Sequence, residues 1–366
     1  MSAGLSISKG TLHVIVAFDV GFAVDLTACR RSITDLTELA AIRHKGAAPA
    51  YFQFDPLPLR VTQRIPRLDL GSGFASTDEV EIVIYDFGGV SVIYDIPIQG
   101  ALEPLIELSA RLTASSSVRE DARSRIEHLL AVIEPAVTRP NIEALTEEYY
   151  IFQVQGFEGE PALDPPVSAH AGDLARLLRA ETDPLSDQEV QDALSSRASF
   201  GRKDLAIIDW NAALLIDSEP QDVISVLEFA NLQLLELRFL DSRLDAALDR
   251  SYERLARDQS TRWRLPGGTQ GDLRRVAQLQ VDGAVLFERI NNALKLLGDQ
   301  YLARVYRSAS QRYRLSEWNS SIARKLDTLE SIYEKLHDHA AEARMELLEW
   351  IIIILIAIGL VVPLLG

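Results

Sequence analysis

The last 17 residues, Trp350-Ile-Ile-Ile-Ile-Leu-Ile-Ala-Ile-Gly-Leu-Val-Val-Pro-Leu-Leu-Gly366, carry no charged side chain, and Glu349 is the last charged residue before them. No other stretch restricts the folds open to the chain as strongly, because a helix that is apolar all round has to be enclosed by lipid or by protein. At about 1.5 Å per residue the run reaches roughly 25 Å as a helix, slightly short of a hydrocarbon core of about 30 Å. Its 12 Ile, Leu and Val side chains favour insertion by roughly 0.3–0.6 kcal/mol each, which outweighs a glycine and Pro363. The expectation is a C-terminal transmembrane helix at 350–366. Trp350 would sit at the headgroup level, and Ile351, Ile354, Ile358, Leu360 and Leu364 would lie in the apolar layer. With nothing polar beyond it to translocate, the body is expected on the side of synthesis, as in a tail-anchored protein. The alternative is a core helix buried in a soluble homo-oligomer.

The whole 366-residue chain is 47% hydrophobic and 25% charged, which excludes a disordered or collagen-like polymer. A net charge of -16 repels bulk nucleic acid and anionic lipid, so a general basic nucleic-acid binder is excluded and no DNA partner is expected. Cys29 is the single cysteine, which leaves no intramolecular disulfide framework and no Cys-cluster metal site, and fits a reducing compartment. The first ten residues hold one Lys and no Arg, so neither a secretory signal nor an Arg-rich transit peptide is expected.

Three segments, Val14 to Asp25, Ile82 to Asp95 and Ala206 to Asp217, share an apolar run, an Asp and a second apolar run ending in Asp. Each reads as one bent strand or a tight hairpin whose Asp residues mark turns or exposed edges, with Gly88-Gly89 as a turn or bulge. Tyr51 to Gln63 and Glu148 to Gln155 alternate as strands do. Helical spacing covers Leu102 to Thr113, Val118 to Val137, Asp173 to Ala180 and Asp187 to Ser196. This describes an α+β body over 1–218, with the Gly- and Pro-rich stretch 156–166 as a loop between lobes.

From Pro220 strand patterns cease. Val223 to Ala256 reads as a long amphipathic helix, 265–271 as a loop, and Asp272 as the N-cap of a helix continuing through Leu297. In the last helix Leu315, Trp318, Ile322, Leu329, Ile332, Leu336 and Ala343 recur at steps compatible with a heptad, and the polar exceptions Lys325, His339 and Glu346 all fall at the same heptad position. That seam is expected to pack on the preceding hairpin first and on another subunit second. The expected plan is thus an α+β body, a long antiparallel helical hairpin or coiled-coil bundle over 219–349, and the transmembrane helix at 350–366.

Charge divides along this plan. Residues 250–325 carry 15 Lys+Arg against 7 Asp+Glu, within an otherwise acidic chain. Arg262, Arg264, Arg274, Arg275, Arg304 and Arg307 are candidate contacts for RNA phosphates or an acidic partner, and the alternative is a solvated face paired with the acidic body.

Catalytic chemistry finds little support. Gly267-Gly268-Thr269-Gln270-Gly271 lacks the Lys of a phosphate-binding loop, and Gly71-Ser72-Gly73 is too short for a dinucleotide fingerprint. Glu334-x-x-His337 has a spacing used in di-iron bundles, but in one copy only. His13, His44, His128 and His170 form no nucleophile pattern. No enzyme, cofactor or metal site is expected.

The stretch Gly298-Asp-Gln-Tyr-Leu-Ala-Arg-Val-Tyr306, with Trp318, Arg324 to Tyr333 and Glu346 to Ile356, resembles the C-terminal signature of the Required for Meiotic nuclear Division 1 family. Val226 to Arg238 with Asp241, and Phe87-Gly88 with Val90, Val92 and Tyr94, are similar to its long-helix and aromatic-Gly strand motifs. The resemblance covers most of 80–360. It implies an α+β body, a helical hairpin and a C-terminal membrane helix, with a relative that supports translation at the mitochondrial inner membrane. It carries no catalytic residue. Gly359 stands where family members commonly place a Glu, and the first 70 residues match loosely. The functional expectation is a non-enzymatic, oligomeric scaffold on the cytoplasmic side of a bacterial inner membrane, in contact with lipid and with a ribosome or an acidic protein. The alternatives are a soluble homo-oligomer or a metal-binding enzyme.

Overall fold

A computed structural model describes residues 5–37, 42–44, 53–54, 56–159, 164–258, 269–292, 294–295 and 300–361. In chain order the strands are β1 (Ser6–Asp19), β2 (Ala23–Val24), β3 (Ile42–His44), β4 (Gln53–Phe54), β5 (Leu59–Arg64), β6 (Asp69–Gly71), β7 (Phe74–Ala75), β8 (Glu79–Ile84), β9 (Gly89–Ala101), β10 (Val137–Thr138), β11 (Thr146–Phe157), β12 (Arg197–Ala198), β13 (Leu205–Ile208), β14 (Ala212–Ile216) and β15 (Leu294–Lys295). The helices are α1 (Leu26–Thr37), α2 (Leu102–Ala114), α3 (Ser117–Ile133), α4 (Asp164–Ala169), α5 (Ala171–Arg179), α6 (Asp187–Ala193), α7 (Gln221–Asp258), α8 (Thr269–Asn292), α9 (Gln300–Arg312) and α10 (Leu315–Val361). The fold is mixed α+β and forms two compact units. One comprises Met1–Glu236 and Arg289–Ser316, the other Leu237–Glu288 and Glu317–Gly366. They divide the chain differently from a partition at 218 and 349, since the start of α7 and all of α9 belong with the sheet.

The first unit is built on a nine-stranded sheet in the order β12-β13-β14-β11-β1-β9-β8-β5-β3. β1 pairs antiparallel with β9 on one edge and with β11 on the other. Residues 12–19 are buried without alternation because both faces of the strand are covered. Leu12, Val14, Val16 and Phe18 face a core with Cys29 and Ile33 of α1, Leu105 of α2, Ile126 of α3 and Leu177 of α5. On the opposite face the register joins Ile15 to Ile93 and Tyr149. There Phe229 of α7 packs its ring 5.8 Å from Tyr85, and Tyr313 meets Tyr149 edge-on at 5.4 Å. The result is helix, sheet and helix in three layers.

Several sequence expectations are corrected. Val14 to Asp25 is not a hairpin: β1 ends at Asp19, and Asp25 accepts hydrogen bonds from the N–H groups of Thr27 and Ala28 to cap α1, a helix the strand-like pattern concealed. Asp19 and Asp209 are buried rather than exposed turn markers. Strands do not cease at Pro220, because β15 pairs with β4. Asp272 lies inside α8, which begins at Thr269 and ends at Asn292 rather than Leu297. The flanks of 156–166 belong to one unit, with residues 160–163 outside the described residues. The second and third repeats do form the hairpins β8–β9 and β13–β14.

In the second unit α7, α8 and α10 meet at Gly283, whose place would bring a Cβ to 3.3 Å from Leu326, 3.4 Å from Leu240 and 3.8 Å from Leu244. The seam positions Ile322, Leu329 and Ile332 are buried within one chain. Lys325, a polar member of the seam, pairs with Asp241 at 2.7 Å and Asp245 at 2.6 Å on α7. Burial works against its charged form, but the hydrogen bonds of both aspartates outweigh this and hold its pKa above the ordinary lysine value. Trp350, Ile351, Ile354, Ile358 and Leu360 continue α10 as helix, and Leu364 lies outside the described residues. Among the described residues, no helix is long and apolar enough to cross a membrane. A transmembrane helix is therefore not part of the described fold.

The β8–β9 turn depends on Gly88, which has φ +103° and leaves no space for a side chain: a Cβ there would lie 1.7 Å from the Gly21 carbonyl oxygen. Gly73 has φ +83° with nothing within 4 Å. Gly88→Ala is expected to cost at least about 3 kcal/mol, against about 1 kcal/mol for Gly73→Ala. Urea unfolding of the two variants measures the difference.

Candidate functional site

At one end of the sheet, α5, α6, the β13–β14 turn and the last turn of α9 are tied by ions. Asp209, fully buried after β13, accepts from Arg179 Nε at 2.9 Å and lies 3.7 Å from Arg312 Nη1. Arg179 also reaches Asp192 at 2.5 Å and contacts Glu189, and Arg312 donates to Asp192 at 3.1 Å and to Ser195 at 2.8 Å. The hydrogen bond from Arg179, then the charge of Arg312, holds the Asp192 carboxyl below the usual carboxylate range. These arginines are mainly structural, because a carboxylate buried as deeply as Asp209 is tolerated only when paired. Beside them opens a cleft of about 370 Å³ lined by Asp192, Trp210, Gln311, Arg312 and Arg314. Trp210, in the β13–β14 turn, is 55% exposed.

A second polar group lies under α7. Tyr85 donates to Glu228 at 2.6 Å, and Arg60 donates to Ser225 and Glu81 at 3.0 Å each. Burial raises the Glu228 carboxyl, and the charge of Arg60 opposes the rise. Glu236, two turns further on, is fully buried, and neither of its oxygens receives a hydrogen bond from a protein donor. Burial, and then the neighbouring Asp19 carboxylate, push its pKa well above the ordinary value. Two carboxyls in contact hold together only when a proton lies between them. These residues read as the polar face of an amphipathic helix, and the sequence holds no signal that the face is covered.

His13 bridges the central strands, with Nδ1 2.7 Å from Asp95 and Nε2 3.1 Å from Gln153. A glutamine occupies the place a nucleophile would need. Among the described residues, no group of three or more His, Cys, Asp or Glu side chains converges on a metal position. Glu334 is exposed on α10.

Of the candidate arginines, Arg304 and Arg307 are exposed on α9. Arg274 and Arg275 lie on α8, while Arg262 and Arg264 fall outside the described residues. Leu315 and Ile322 are buried, Trp318 is half-buried, and Leu336 and Ala343 lie further along α10. The cleft by Trp210 was not legible in sequence. A tryptophan between two aspartyl-ended runs gives no sign of its exposure, and Arg312 is 102 residues away from Trp210.

The sheet-centred unit, with α9 at one end of the sheet, is a three-layer α+β domain. A family model, "Uncharacterized protein MJ0711, N-terminal domain", matches residues 9–222, more than half of the chain, and the chain belongs to that family. It is similar to the uncharacterized protein MJ0711 of Methanocaldococcus jannaschii, with 27% identity over 194 residues, or 52% of this chain and 58% of that protein. The chain thus spans just under three fifths of the curated relative it matches. No solved structure matches. The matched region runs from β1 to the start of α7 and leaves out α8, α9 and α10. The family shown is this one and not the Required for Meiotic nuclear Division 1 family.

Because Glu236 is held protonated in the folded state, its contribution to stability is full below the unfolded pKa of about 4.3 and is lost as pH rises through the folded pKa. Glu236→Gln removes that loss. The variant is expected to be more stable than the parent at pH 8 and to show a flatter dependence between pH 5 and pH 8, measured by urea midpoints.

Proposed function

We propose that the chain is a non-enzymatic scaffold that α10 fixes to the apolar layer of a membrane. The observation that carries this reading is the end of α10, where Ile351, Ile352, Ile353, Leu355 and Ile356 are all 44–62% exposed. At about 100° per residue these five side chains spread over an arc of about 200°, wider than a single neighbouring helix covers. An apolar environment that wraps more than one side does so, and a bilayer supplies one without further protein. From Trp350 to Val361 the described helix brings about 18 Å of apolar rod to such a layer. The other environment of this kind is the core of a multi-helix oligomer, which makes homo-oligomerisation the second reading.

In the first reading the acidic body lies on the cytoplasmic side of a bacterial inner membrane. Translation machinery is what we propose the scaffold holds there, supported by the basic stretch 250–325, with Arg304 and Arg307 exposed on α9. Carbonate extraction of cell membranes, comparing the full chain with a version ending at Glu349, is the test. The full chain is expected in the pellet and the shortened chain in the supernatant with unchanged circular dichroism. Both chains in the supernatant would overturn membrane anchoring and leave the oligomer.

A further inference from the structure

The exposed face of α9 combines cations with open aromatic rings. Arg304, Arg307 and Gln311 recur at helical spacing and are all exposed, and Arg314 just beyond the helix is exposed with them. At the start of α9 the ring of Tyr301 lies 5.8 Å from Phe200, which is 80% exposed in the β12–β13 loop. Arg304 sits 6.0 Å from the Tyr301 ring and donates to the Ser199 carbonyl at 3.1 Å. The same loop carries exposed Arg202 and Lys203. At the other end Gln311 and Arg314 share the cleft with Trp210. The carboxylates nearby are already engaged: Asp192 by Arg179 and Arg312, and Asp204 by the N–H groups of Phe200 and Gly201.

We infer that this face binds single-stranded nucleic acid, with phosphates on Arg304 and Arg307 and unstacked bases on Phe200 and Trp210. Cations spaced along a line between aromatic platforms are what a sugar-phosphate strand with free base faces requires. An acidic segment such as polyglutamate would use the arginines but offers no π-face for the two rings to stack on. A duplex hides its base faces and would use only the cations. From Tyr301 to Gln311 the helix spans about 15 Å, the reach of a few nucleotides. The net charge of -16 opposes approach from a distance, so the binding is local and salt-sensitive. No residue of α10 takes part, and the inference stands or falls separately from the anchoring reading.

The test is fluorescence anisotropy of labelled 12-mer oligouridylate, in ribo and deoxyribo forms, with the full chain in mild detergent at low salt. Arg304→Gln with Arg307→Gln is expected to weaken binding at least tenfold and to flatten the slope of log affinity against log salt by about 1.4. Phe200→Ala with Trp210→Ala is expected to weaken it roughly tenfold with the slope unchanged. Thermal unfolding confirms that each variant folds. Tighter binding of the ribo form identifies RNA as the source of the strand, and equal binding a general single-strand surface. The inference is overturned if neither strand binds, if duplex RNA binds as tightly, or if polyglutamate competes equally while the aromatic variant behaves as the parent.

Discussion

Double-sided pairing of β1 is the constraint on which the rest of the first unit depends. The strand is hydrogen-bonded to β9 from Ser6 to Asp19 and to β11 from Ile7 to Phe18, so neither edge is open. Its faces are likewise closed, one by α1, α2, α3 and α5 and the other by the start of α7 with Tyr313 beyond α9. A strand enclosed on four sides fixes the register of everything laid against it, because a slip of one residue would move each side chain to the other face. Even β11, whose other neighbour β14 runs parallel to it, takes its position from β1.

Enclosure also explains the buried polar groups. Where the layers close at the ends of strands, a carboxylate is caught inside and must find a partner. Asp209 has Arg179 and Arg312, and Glu228 has Tyr85 with Arg60 close by. Asp19 accepts from the Gly21 N–H, and Glu236 beside it is held protonated. The first two arrangements join helices to the sheet by directional contacts. The third makes that contact sensitive to pH.

What was legible in the sequence follows from the range of the interactions. The β8–β9 hairpin announces itself through Gly88-Gly89 between β-branched runs, and the long helices through spacing that repeats for many turns. The short helix α1 was hidden because Asp25 serves equally as a strand-end marker and as an N-cap. The burial of Asp209 depends on Arg312, and that of Glu236 on Asp19, partners more than 100 residues away that no local pattern joins. Candidate arginines on α9 were visible as composition. Their aromatic neighbours Phe200 and Trp210 were not, since they come from loops that only the tertiary fold brings to that end.

The central claim is that the isoleucine-rich end of α10 takes its apolar surroundings from lipid and not from its own chain. A solvent-sensitive fluorophore on Ile353→Cys reads this directly. The native Cys29 is fully buried and its thiol is pushed up to about 12, first by burial and then by Asp25, so it stays unlabelled at neutral pH. Neutral phosphatidylcholine vesicles are the right lipid, because the chain is acidic. The account predicts a water-like emission in dilute protein that shifts to the blue when vesicles are added. Emission that is already blue in dilute protein, and indifferent to lipid, would contradict it.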